Sequence, residues 1–91
     1  MKTQIRNMTS SKGNDVPNQF IITDENGNAF FQSYESVVAV IRFNGKIELD
    51  QKFWNYSKTT SKYRSQFLNE TTKETEAKIN NGSYKLVNLN N

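Results

Sequence analysis

The chain contains no cysteine and no histidine. Without cysteine there are no disulfides, thiolate nucleophiles or thiolate metal ligands. Without histidine the usual general base near neutral pH is gone, and the two absences together exclude nearly all zinc-site architectures. No run of about 18 apolar residues occurs, so no membrane-spanning helix is expected. The opening MKTQIRNMTSSKGND lacks the apolar stretch of a secretory signal, which makes a cytoplasmic location the expectation. No clustered Asp/Glu motif and no glycine-rich phosphate loop is present. The chain therefore reads as a non-enzyme with no metal, no cofactor and no small-molecule substrate, although chemistry through Lys, Tyr or Arg stays formally open.

What is there is a single small domain of 91 residues with 12% aromatic content, enough for a modest core. Its net charge of +3 is segregated along the chain. Residues 1–14 are basic, residues 15–50 are acidic, residues 51–69 are strongly basic, and the remainder balances. A chain with poles of both signs suits a basic protein partner as well as a nucleic acid. The plainer reading is a set of solvated faces.

The segment Gln51–Asn69, QKFWNYSKTTSKYRSQFLN, stands out. It carries Lys52, Lys58, Lys62 and Arg64 with no acid, interleaved with Phe53, Trp54, Tyr56, Tyr63 and Phe67. Cations spaced among planar rings suit a polyanion whose bases stack, so the segment is a candidate nucleic-acid or effector-binding surface. Phe53 and Phe67 read as core. Trp54, Tyr56 and Tyr63 divide between core and stacking platform. Lys and Arg seldom bury unpaired, so Lys58, Lys62 and Arg64 are expected to form an exposed patch, with Lys52 beside it. Such contacts give affinity without sequence choice.

Asn-Gly pairs at Asn26-Gly27 and Asn44-Gly45 each lie between apolar runs and predict two-residue hairpin loops. The first sets Val16–Asp24 against Ala29–Tyr34, with Ile22 opposite Phe31 and Thr23 opposite Phe30. The second sets Val40 opposite Leu49 and gathers Val38, Val40, Ile47 and Leu49 on one face. Val37–Phe43 then reads as an inner strand covered on both sides, and Lys46–Asp50 lies nearer an edge. Beyond Asp50 the period turns helical. Residues Ser57–Thr60 supply N-caps for a helix over Ser61–Asn69. Thr71-Thr72-Lys73-Glu74 matches a capping box opening a helix over Thr72–Asn80, and Gly82 suits a left-handed cap at its end. Ser83–Leu89 reads as a last strand. The expectation is a small α+β domain over residues 15–91, ordered (β)ββββααβ, with a mainly antiparallel sheet of four to six strands and two short helices. Residues 1–14 read either as an edge strand through Ile5 and Met8 or as a mobile basic arm. An open strand edge also leaves a homodimer as a candidate assembly.

The stretch FWNYSKTTSKYRSQFL, preceded by FFQSYESVVAVIRFNGKIELD, resembles a group of small uncharacterised proteins encoded by phages and mobile elements. Its pattern is an aromatic-Gln-Ser-Tyr strand, an apolar strand and then Trp-x-Tyr-Ser-x-Thr-Thr-x-x-Tyr, on which Trp54, Tyr56, Ser57, Thr59, Thr60, Ser61 and Tyr63 fall. The likeness covers about residues 16–90, and residues 1–15 do not match. No site residue comes with it. In character such a protein is similar to anti-CRISPR inhibitors, which implies a stoichiometric inhibitor binding a CRISPR effector nuclease, its guide RNA, or both, inside the bacterial host. The rival expectations are a phage nucleic-acid-binding accessory protein and an interaction module using the acids Asp24, Glu25, Glu48 and Asp50.

Overall fold

The computed structural model describes residues 3–90. Five strands run as a meander: β1 (Gln4–Thr9), β2 (Asp15–Thr23), β3 (Ala29–Ser33), β4 (Ser36–Ile41) and β5 (Ile47–Asp50). Two helices follow, α1 (Lys58–Leu68) and α2 (Thr72–Asn80), and then β6 (Lys85–Val87). All six strands form one sheet in sequence order. Every neighbouring pair is antiparallel except β5 and β6, which are parallel because the helix pair carries the chain back over the sheet. The domain is α+β, as the order of periodicities implies.

Both Asn-Gly hairpins differ from expectation by one residue. Ile22 faces Phe30 and Ile21 faces Phe31, while Ala39 faces Leu49 and Val40 faces Glu48. In each loop only the glycine has positive φ, Gly27 at 90° and Gly45 at 86°, whereas a two-residue type I′ loop needs two such residues. The loops are therefore three residues long. Asp24 N–H donates to the Asn28 carbonyl and Gly27 N–H to the Asp24 carbonyl, and Arg42, Gly45 and Lys46 repeat that pattern. A one-residue shift changes faces. Val40 thus leaves the face that holds Leu49 and joins Phe30 and Glu48 on the other side of the sheet. Val38 still points to the core because β4 bulges opposite Phe31 and Gln32.

The core lies on the helix-covered face. Phe31, Val38, Ala39 and Leu49 from the sheet meet Tyr63 and Tyr84, with Phe53, Trp54, Phe67, Leu68 and Ile79 packed around them. Phe67 stacks on Phe31 with ring centroids 5.8 Å apart. Full burial of side chains such as Leu49 and Phe31 stabilises the fold by about 1.5–3 kcal/mol each. The core lies on this face, but Val40 on the other side is also 0% exposed, so the centre of β4 is covered on both sides as expected. β5 lies between β4 and β6 and is not an edge.

The helix ends follow local chemistry. The Ser57 side chain accepts from Thr60 N–H and starts α1 three residues earlier than expected. Asn69 ends it in the left-handed region at φ 56°. At α2 the Thr71 hydroxyl accepts from Glu74 N–H while the Glu74 carboxylate accepts from Thr71 N–H, completing the anticipated capping box. Gly82, at φ 85°, closes the other end. Of the expected last strand only Lys85–Val87 pairs, while Tyr84 just before it is buried in the core.

Candidate nucleic-acid interface

The basic–aromatic segment divides by helical phase. Thr60, Tyr63, Arg64 and Phe67 fall on the side of α1 that faces the sheet, and Lys58 and Lys62 fall on the opposite side. Arg64 is 0% exposed, so the expected placement of this cation in the outer patch is corrected. One of its terminal nitrogens donates to the Trp54 carbonyl, and the other donates to Thr72 Oγ1 at 2.6 Å. Its guanidinium also lies 5.2 Å from the centroid of the Trp54 ring. A planar fork that satisfies a carbonyl, a hydroxyl and a ring face makes burial of a cation tolerable here. Burial pushes the Arg64 pKa down, and the charge of Glu70 opposes that shift. Tyr63 is 7% exposed and belongs to the core, which corrects its candidacy as a stacking group. Trp54 is half-buried, with its backbone and ring engaged by Arg64.

Lys52, Lys58, Lys62 and Tyr56 remain at the surface. Tyr56 is 67% exposed, and its ring meets the edge of Phe53 at 5.3 Å between centroids. Lys52 Nζ lies 5.4 Å from the Phe53 centroid, and Lys62 Nζ the same distance from that of Tyr63. Cation, ring and ring thus succeed one another along the loop between β5 and α1. Asp50 holds that loop in place. Its carboxylate accepts from the backbone N–H groups of Lys52, Phe53 and Leu89 at 2.8–3.0 Å. Burial pushes the Asp50 carboxyl up, but these backbone bonds, with one from the Asn90 side chain, outweigh it and hold the pKa below its ordinary value. Asp50 is therefore a structural cap, and it is too buried to serve as part of an acidic contact face.

Tyr56 lines a cleft of about 460 Å³. The two-residue turn between β3 and β4 also lines it and presents Tyr34, which is 54% exposed, and Glu35. Three hydroxyls lie along the cleft: Ser33 Oγ is 2.9 Å from Thr60 Oγ1, and Ser57 Oγ donates to the same oxygen at 3.1 Å. Tyr34 has φ 57°, a left-handed conformation that is uncommon for a bulky side chain. Its N–H donates to the carbonyl of Asn18, itself at φ 66°, at 2.7 Å, and its carbonyl accepts from Gln32 Nε2 at 2.8 Å. Tyr34 and Glu35 were not singled out by sequence reasoning. A Tyr-Glu pair carries no turn signal, and Tyr34 reads as the last residue of a strand. Among the described residues no group of three or more Asp or Glu is arranged to hold a metal ion. Among them, too, no helix is long and apolar enough to cross a membrane.

A family model described as a family of unknown function (DUF8033) matches residues 3–82. The chain belongs to that family. No curated protein and no solved structure matches it. That match includes residues 3–15.

Proposed function

We propose that this family member binds single-stranded nucleic acid by occupancy, without turnover, through the lysines and open aromatic surface around the loop from β5 to α1. The observation that carries the reading is Tyr56, two-thirds exposed in a loop that also bears Lys52 and leads directly into Lys58. An aromatic ring left in water beside unpaired cations suits a ligand that is both anionic and stackable. In the setting implied by the phage-protein likeness, the strand is a guide RNA in the host cytoplasm. The protein then acts as an anti-CRISPR type of inhibitor, masking the RNA or the effector channel that holds it. The narrower accessory role, coating any exposed strand, uses the same surface.

The test is fluorescence anisotropy with a labelled 12-nucleotide RNA across a salt series. Three phosphate contacts give a slope of log affinity against log salt near −2, from about −0.7 per contact. The variant Lys52→Ser/Lys58→Ser/Lys62→Ser flattens the slope and weakens binding at low salt. Equal binding by the triple variant and the parent sinks the reading. Recovery of a defence nuclease from host lysate, lost on RNase treatment, selects the inhibitor over the accessory role.

A further inference from the structure

Resting on that reading, we infer that the cleft lined by Tyr34 and Tyr56 receives one unstacked nucleobase of the bound strand, with a preference for bases that carry an exocyclic amino group. The size of the cleft, about 460 Å³, lies in the range of sites that hold a single small ligand. Two of the residues that line it are tyrosines, each more than half exposed. Neither ring is left to chance. Tyr56 is braced by the edge of Phe53, and Tyr34 is fixed by a turn whose N–H and carbonyl are both hydrogen-bonded. Rings held in water at the lining of a hollow offer a π-face to any base, at little further loss of freedom.

The charges sort the parts of a nucleotide. Glu35 lines the cleft and makes no ion pair among the described residues, so a phosphate is repelled there and a hydrogen-bond donor is welcome. A carboxylate accepts from the amino group of cytosine, and adenine and guanine present similar donors, whereas uracil presents carbonyls on either side of its single N–H. Lys52 lies just outside, in the adjoining hollow, where the backbone would run. A second hollow shares Glu35, Ser36 and Phe53 with the first and reaches Lys52, Asn88 and Asn90. The groove thus continues past Phe53 towards a cation. The exposed Ser57 hydroxyl can rotate to donate or accept, which suits a ribose or a base edge.

The experiment compares labelled RNA 8-mers of cytidine, adenosine and uridine with an abasic 8-mer of equal charge. The parent protein is expected to bind the cytidine and adenosine strands about three- to tenfold tighter than uridine. It is expected to bind them at least about tenfold tighter than the abasic strand, since loss of a base–aromatic stack typically weakens binding by that order or more. Tyr34→Asn and Tyr56→Ser each remove most of the preference over the abasic strand while leaving the salt slope intact. Glu35→Gln removes the preference over uridine. Asparagine tolerates the left-handed backbone at position 34, so Tyr34→Asn keeps the fold and its melting temperature reports any failure to do so. Equal affinity of the parent for cytidine and abasic strands, or parent-like binding by both tyrosine variants, overturns the cleft assignment. If the lysine variant still loses binding in that case, the function proposed above stands without the cleft. No binding of any strand by the parent overturns both and leaves an acidic protein surface as the ligand for the lysines.

Discussion

Arg64 and Lys62 lie two residues apart on α1 and occupy opposite environments. Two residues correspond to about 200° of helix, so one cation turns into the protein and the other turns out. Arg64 joins a polar set between the helices and the end of the sheet. There Glu70 accepts from Lys78 Nζ at 2.8 Å and from the Tyr84 hydroxyl at 2.7 Å, and Thr75 donates to its other oxygen. Lys62 and Lys58 lie on the outer, exposed side. A run of like charges in a sequence is therefore not one patch. The inner cation holds the loop and the two helices together, and the outer ones are free to meet a ligand.

The sharpest way to break this contrast is to remove the inner cation. Arg64→Ala empties a packed site and strips partners from the Trp54 carbonyl and the Thr72 hydroxyl, so a loss of about 3 kcal/mol or more is expected. Arg64→Lys recovers little of it, because a single ammonium cannot span the carbonyl, the hydroxyl and the ring face as the fork does. Urea unfolding monitored by Trp54 fluorescence measures both. An Arg64→Ala protein as stable as the parent would mean that Arg64 does no structural work.

A smaller effect follows from pH. Burial pushes the Glu70 carboxyl up, but hydrogen bonds from Lys78, Thr75 and Tyr84 outweigh it and hold its pKa below the ordinary value of 4.5. The folded value lies under the unfolded one, so the carboxylate stabilises the fold fully above about pH 4.5. That contribution is lost as pH falls through the depressed folded value. Asp50 acts in the same direction from its ordinary 3.8. Unfolding free energy is expected to fall between pH 5 and pH 3, and Glu70→Gln is expected to be less stable at pH 7 and less sensitive over that interval. A variant with the parent's full pH dependence would remove Glu70 from the inner set.

Local chemistry made some of this legible in the sequence. α2 was read residue for residue, because a capping box and a terminal glycine act within one turn and need no tertiary information. Strand order was legible because short loops between apolar runs make neighbours. Hairpin register was not, since Asn-Gly fits both a two-residue loop and a three-residue loop with one left-handed glycine, and the Asp24 carboxylate accepting from Asn26 and Asn28 favours the longer one in the first hairpin. The burial of Arg64 was within reach of the periodicity. Tyr63 and Phe67 already marked the inner side of α1, and Arg64 lies about 60° beyond Phe67, still on that side. Residue type argued for exposure, but the period pointed inward. The exposure of Tyr34 was not legible, because it depends on a left-handed backbone held by the Asn18 carbonyl of β2 and the Gln32 side chain of β3.

The smallest expected effect tests the outer half of the comparison. Lys58→Ala and Lys62→Ala should each change unfolding free energy by no more than about 0.5 kcal/mol, as is usual for exposed positions away from packed features. Neither lysine makes an ion pair among the described residues, and the contact of Lys62 with the Tyr63 ring is a surface one at 5.4 Å. Lys58 stands at the first position of α1, where the helix dipole disfavours a cation, so its removal is expected to be neutral or slightly stabilising. A cation kept where it does nothing for the fold is one available for a ligand. Urea unfolding of the two variants decides this, and a loss above about 1 kcal/mol in either would place that lysine with Arg64 as part of the scaffold.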